Sequence, residues 1–261
     1  MASGLSRIDW SAPWLAPWRT TGERMAQQVA QGYSVAEACN VELAAWHQLA
    51  QQASPAKSVC HVQFVSQDNL PEGMAYEQFI FEQHAVPTRD GLHDFFNALC
   101  WLHFPLAKRQ LNQLQAAAIQ SQGVGAVRGP VRDAVTVFDE NACLLQVDDV
   151  AWDALKRRDW QAAFVTHRDL WGSAQVQIFG HAALEKLVNP YKAITVHMWR
   201  VPHGLAVSEW DAWLSEDLNA AKLACKPFLP TPVLGLPGWW PENIDPDFYQ
   251  DAHVFRTPRA V

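Results

Sequence analysis

Between Asp90 and His103 the chain reads Asp-Gly-Leu-His-Asp-Phe-Phe-Asn-Ala-Leu-Cys-Trp-Leu-His. At about 100° per residue, Leu92, Phe95, Phe96, Leu99 and Leu102 fall on one arc of a helix and must face a core. The opposite arc carries His93, Asp94, Asn97 and Trp101. A tryptophan there needs cover of its own, so a second element is expected over that side, holding the polar trio in a crevice and out of bulk water. A helix packed on two sides has to sit centrally. The spacing predicts Asp90 as its N-cap, and Pro105 opens a second helix to about Gln120, because proline is tolerated in a first turn.

Around this pair the pattern predicts an interspersed set of helices and strands. Trp10, Trp14 and Trp18 are four apart, but Pro13 and Pro17 argue against a continuous helix and for an arm strapped over the body. Gly22 to Gln31 reads as a helix stopped by Gly32. Ser34 to Glu37 is a capping box that opens a helix to about Gln51, with Cys39, Leu43, Trp46 and Leu49 inward. A strand at His61 to Val65 and a helix at Ala75 to Gln83 follow. The glycine-rich stretch Gly123 to Pro130 reads as a loop; a helix precedes it and a proline follows, so it is no dinucleotide fingerprint.

Asp133 to Phe138 and Ala142 to Val147, flanking Asp139-Glu140-Asn141, predict a hairpin from their β-branched content. Helices are expected over Val150 to Arg158, capped by Asp148 or Asp149, and over Trp160 to Arg168. A strand at Gln175 to Phe179 leads through Gly180 into a helix from His181 to Val188. A strand at Ile194 to Val201 and one long helix from Ser208 to Cys225 complete the body. The expected fold class is α+β: a single domain over residues 1–261, mostly helical with a small sheet or hairpin. Residues 1–20 and the proline-rich 227–261 are irregular arms packed on it.

The chain's 49% hydrophobic and 18% charged residues suit a globular protein that needs no staples. Five widely spaced cysteines without a C-x-x-C indicate neither a disulfide framework nor a zinc knuckle. A net charge of −7 argues against a nonspecific nucleic-acid binder. No signal segment or membrane span is visible, which points to a cytoplasmic protein. Oligomeric state is not legible.

Catalytic candidates are His93, Asp94, Asn97 and Asp133. His93 and Asn97, four apart, lie side by side and could bind one ligand group or ion. Thr88 and Arg89 stand at the helix entrance, and Lys108 and Asn112 lie on the following helix; these four are the substrate-binding candidates, suited to a phosphate or carboxylate. His181 and Glu185, four apart, with Asp139 and Glu140, are candidate ligands of a divalent metal, an unassigned cofactor. H-E-x-x-H, G-x-S-x-G and the P-loop pattern are all absent.

The stretches Tyr76-Glu77, Val86 to Arg89, His93 to Leu99, Phe104-Pro105, Lys108, Leu111-Asn112, Arg132 to Ala134, Phe138 to Glu140, Gly180 to Ala182, Pro232 to Gly235, Pro237 to Trp239 and Phe248-Tyr249 resemble a bacterial family. It is catalogued only as domain of unknown function 3025. The resemblance implies one full-length domain and no activity. From the residues themselves, the expected function is a hydrolase acting on a small phosphate- or carboxylate-bearing substrate, with metal assistance left open. The alternative is a non-catalytic binding protein whose thirteen tryptophans build a groove for a peptide, apolar ligand or partner.

Overall fold

The expected central helix is present as α4 (Leu92–His103). Leu92, Phe95, Phe96, Leu99 and Leu102 are buried on one arc, and Asp94, Asn97 and Trp101 are buried on the other. The computed structural model describes residues 4–53, 62–122 and 129–257. The predicted loop at 123–128, His61 and Cys60 lie outside the described residues, as does the side chain of Leu49. α4 packs on α2 (Val35–Ala53), α5 (Pro105–Gln122) and α8 (His181–Lys186). Gly91 precedes its first turn, and Asp90 is not its cap: the Asp90 carboxylate accepts from Val35 N at the start of α2, 2.9 Å away. α2 itself opens on the expected capping box, with Glu37 N donating to Ser34 Oγ at 3.2 Å and Ser34 N to Glu37 Oε2 at 2.8 Å.

The N-terminal arm is laid down by its tryptophans. Pro13–Leu15 forms one 3₁₀ turn, and helix α1 (Arg19–Ala30) begins directly after Trp18. Trp18 is fully buried against His103, ring centroids 4.7 Å apart, a burial worth on the order of 4 kcal/mol before ordering costs. Trp10 lies where a Cβ on Gly22 would be, 2.1 Å from its ring, so the glycine within α1 is what lets the arm close down. Gly32, at φ 106°, ends the turn after the helix as expected.

Two small sheets flank the helices. Strand β1 (Gln63–Ser66) pairs in parallel with β2 (Ala85–Thr88), which follows α3 (Tyr76–Gln83). The larger sheet has the order β4-β3-β5-β6. Its strands are β3 (Ala142–Gln146), β4 (Gln175–Ile178), β5 (Thr195–Arg200) and β6 (Leu229–Pro232). β3 runs parallel to β5 and antiparallel to β4, while β5 and β6 are antiparallel. The C-terminal segment therefore begins as an edge strand, and only beyond it becomes the irregular wrap expected from 227 onward. Proline at an edge is tolerated because no neighbour needs its missing N–H.

Residues 133–138 are not the first arm of a hairpin. They belong to helix α6 (Pro130–Asn141), which ends directly in β3. Ala134, Val135 and Phe138 are its buried apolar side chains, at i, i+1 and i+4, with Pro130 in the first turn. Asp139-Glu140-Asn141 is the last turn of that helix. Helix α7 (Asp149–Lys156) is capped by Asp148, as expected. The helix expected over 160–168 is a π-type turn, Ala162–Thr166, followed by a 3₁₀ turn, Arg168–Gly172. The long helix expected from 208 to 225 is two: α9 (Trp210–Asp217) and α10 (Ala220–Ala224). Asn219 between them accepts from Lys222 N through its side chain, and local capping of this kind competes with helix continuation. No helix among the described residues is long and apolar enough to cross a membrane.

Candidate functional site

The polar arc of α4 faces a cleft of about 320 Å³, walled by Tyr76 and Glu77 from α3, Thr136, Asp139 and Glu140 from α6, and His181 from α8. Arg89, at the exit of β2, stands at its mouth. The second covering element expected over His93 is thus built from α6 and α8. Their meeting is enforced at Gly180, where Phe179 N and Gly180 N both donate to Ala142 O, at 2.9 and 2.8 Å. α8 starts on the next residue, which puts His181 against α4 and α6 and Glu185 one turn further on.

His93 is held from two sides. Its Nδ1 lies 2.9 Å from Glu185 Oε2, and its Nε2 lies 3.2 Å from His181 Nε2, with the rings edge to face. A carboxylate only accepts, so Nδ1 of His93 carries a proton. Burial lowers the His181 pKa to about 4, a shift that Asp139 partly opposes, so this imidazole is neutral at physiological pH. Of the two facing Nε2 atoms, one donates and the other accepts. The other ring nitrogen of His181, Nδ1, sits 3.8 Å from Asp139 Oδ2.

Beside this chain runs a buried charged one. The Lys108 ammonium, 4% exposed, donates to Asp139 Oδ1 at 2.5 Å and to Asn97 Oδ1 at 2.8 Å, and lies 5.4 Å over the Trp101 ring. Asn97 Nδ2 passes the connection on to the Tyr76 hydroxyl at 3.1 Å. Burial alone would raise the Asp139 carboxyl, but the Lys108 ammonium and the two histidines hold it below its ordinary value. Burial and the surrounding carboxylates push the Tyr76 phenol far up, so it stays protonated with its O–H available to the cleft. Asp94 is likewise committed: it accepts from Arg89 N at 2.6 Å, from Arg89 Nε at 3.0 Å and from the Arg89 terminal nitrogen at 3.1 Å. That fork locks β2 to α4 and leaves the outward N–H groups of Arg89 free at the mouth.

His93, Asp94, Asn97, Arg89, Asp139, Glu140 and His181 are therefore brought together, with Glu185 behind His93. Four expected residues are placed elsewhere or used otherwise. Thr88 is buried, its hydroxyl spent on Val86 O at 2.9 Å. Asp133, in the first turn of α6, is paired with Lys226 on the surface and has no part in the cleft. Asn112 donates to Glu77 O at 2.7 Å beside a smaller adjoining hollow, and Lys108 borders that hollow, not the cleft. His181, Glu185, Asp139 and Glu140 do not gather as one ligand set, because Glu185 turns to His93 and Asp139 to Lys108. Among the described residues no group of three or more His, Cys, Asp and Glu side chains could hold a metal ion. Tyr76, Glu77, Gln115 and Thr136 were not expected in the cleft from helix geometry; Tyr76-Glu77 was marked only by the family resemblance.

A second hollow, of about 420 Å³, lies where the N-terminal arm meets the C-terminal wrap. Trp14, Trp239 and Trp240 line it, and Ile244 at its edge is 78% exposed.

No curated protein and no solved structure matches the chain. A family described as a protein of unknown function, DUF3025, matches residues 62–259, and the chain belongs to that family.

Proposed function

We propose that this member of the DUF3025 family is a hydrolase that works by general acid–base catalysis at His93, on a small substrate whose anionic group rests at the cleft mouth. The observation that carries this reading is the Glu185–His93–His181 chain, with its two imidazole Nε2 atoms 3.2 Å apart inside the cleft. In this reading His93 Nε2 is the base, its tautomer set by the Glu185 carboxylate, and the neutral His181 ring is the N–H donor. Here the two nitrogens satisfy each other. A substrate carbonyl and a water entering between them would take over both partners: His93 Nε2 accepts the water proton, and His181 N–H donates to the oxygen on which charge develops. A neutral histidine with a depressed pKa is suited to the donor role because it gives a hydrogen bond without giving up its proton.

The charges of the cleft narrow the substrate. Lys108 is consumed by Asp139, and Arg89 is half consumed by Asp94, while Glu77 and Glu140 have no cationic partner among the described residues. A single carboxylate at the outward edge of Arg89 is tolerable there; a phosphate dianion deep in the cleft would face net negative charge. Carboxylate-bearing esters and amides are therefore expected to be turned over faster than phosphomonoesters. Against such a panel, His93→Gln should lose about 10²–10⁴-fold in kcat/KM, and Glu185→Gln a smaller factor. Wild-type turnover in His93→Gln would end this reading.

A second reading rests on Ile244. Its exposure beside Trp239 and Trp240 suits a non-catalytic groove for an apolar peptide. Under that reading His93→Gln is silent in every assay, and Ile244→Asp abolishes partner capture.

A further inference from the structure

Away from the cleft, the end of α7, the start of β5 and the edge strand β6 enclose a hollow of about 280 Å³ that shares no lining residue with the His93 site. Its floor is Trp160 and Pro232, and its rim carries Arg158, His253 and Arg256, with the Thr195 hydroxyl beside them. Among the described residues no carboxylate lines it. In a chain of net charge −7, two guanidiniums and an imidazole around one concavity form a local reversal of sign. Acids close in sequence to the rim residues already have partners. Asp251 accepts from Lys192 Nζ at 3.2 Å and from His253 N at 3.1 Å, and Asp159 accepts from Ala162 N at 3.0 Å.

Both arginines are held so that their guanidiniums remain open. Arg158 follows the α7 C-cap residue Arg157 and sits at φ 51°, in the left-handed region where a glycine would be unstrained. Lys156 and Arg157 already place positive charge at that helix end, so the dipole does not require a third cation. The Arg158 guanidinium has no partner among the described residues. Arg256 is fixed by its backbone, since its carbonyl accepts from Trp160 Nε1 at 2.9 Å, and of its side-chain N–H groups only Nε is used, on His253 O at 3.0 Å. Trp160 is itself stacked on Phe164, which makes the floor rigid.

We propose that this hollow is a phosphate-binding site, taking inorganic phosphate or the phosphate group of a small monoester between Arg158 and Arg256. Planar guanidiniums match phosphate oxygens in pairs, and a dianion is the charge that two of them complement. The volume leaves room for a small group attached to the phosphate.

The experiment is calorimetric titration of the whole protein with inorganic phosphate, then with glycerol phosphate, at low ionic strength. Wild type should bind at a ratio of one to one, and Arg158→Gly/Arg256→Gln should lose at least tenfold in affinity. Glycine suits the backbone at 158, and glutamine at 256 keeps the carbonyl that Trp160 uses, so this variant should keep the wild-type melting temperature. His93→Gln should bind phosphate as wild type does. Binding of glycerol phosphate but not of inorganic phosphate would support the monoester as the ligand. The proposal is overturned if wild type shows no saturable binding of either, if the double variant binds equally well, or if Arg89→Gln removes the binding instead.

Discussion

Replacing Gly180 by alanine is expected to destabilise the protein by about 3 kcal/mol or more, the upper range for forcing atoms into a filled site. The backbone at Gly180 is ordinary, φ −68° and ψ 115°, so conformational freedom is not the issue. Space is: a Cβ would sit 2.4 Å from Glu140 O and 2.5 Å from Asn141 N and Cα, all backbone atoms that no rotamer change can move. Relief would require parting α8 from the end of α6, the contact that brings His181 to Asp139 and Glu185 to His93. Urea denaturation should show the loss as a lower midpoint. An unchanged midpoint would mean that this junction is looser than described.

The second large effect is expected at Asp139. Asp139→Ala leaves the Lys108 ammonium, 4% exposed, without its counter-charge, and breaking one side of a buried pair costs about 3–5 kcal/mol. The pair itself is not expected to be that valuable. Lys108→Met/Asp139→Ala should recover most of the loss, although not all, because Asn97 Oδ1 then lacks the donor it has at 2.8 Å. A double variant no more stable than the single one would show that Asp139 is needed for something other than neutralising Lys108.

The central helix was legible because its two arcs made incompatible demands: five apolar residues asked for a core, and Trp101 asked for cover on the other side. Its cap was not. Asp90 has the right residue type, but its carboxylate is spent on Val35 N, fifty-five residues upstream in sequence, and a tertiary contact of that range leaves no local signature. The hairpin expected at 133–147 shows a different limit. Val131, Val135, Thr136 and Val137 have strand-like propensity, yet Ala134, Val135 and Phe138 already follow the helical interval, and burial of that face prevails over propensity. Only its second half, β3, was correctly a strand.

For the site, the i, i+4 spacing of His181 and Glu185 correctly marked them as neighbours, but not that Glu185 turns to His93 while His181 turns its Nε2 to the same ring. Arg89, His93, Asp94, Asn97, Asp139, Glu140 and His181, singled out by residue type and helix face, line one cleft. Lys108 was misjudged as an anion holder, because nothing local tells that Asp139, thirty-one residues on, will neutralise it. Tyr76 belongs to α3, whose packing on α5 cannot be read from periodicity alone.

The most direct measurement is of the protons themselves, by nitrogen-15 spectra of the His93 and His181 imidazoles in the ligand-free protein across pH 3 to 8. Two results are expected together: the neutral His93 ring carrying its proton on Nδ1 with Nε2 bare, and His181 carrying its proton on Nε2 and remaining neutral until the pH approaches about 4. A neutral His93 with its proton on Nε2, or a His181 that takes up its second proton near the ordinary histidine value, would contradict the paired base and donor on which the proposed chemistry rests.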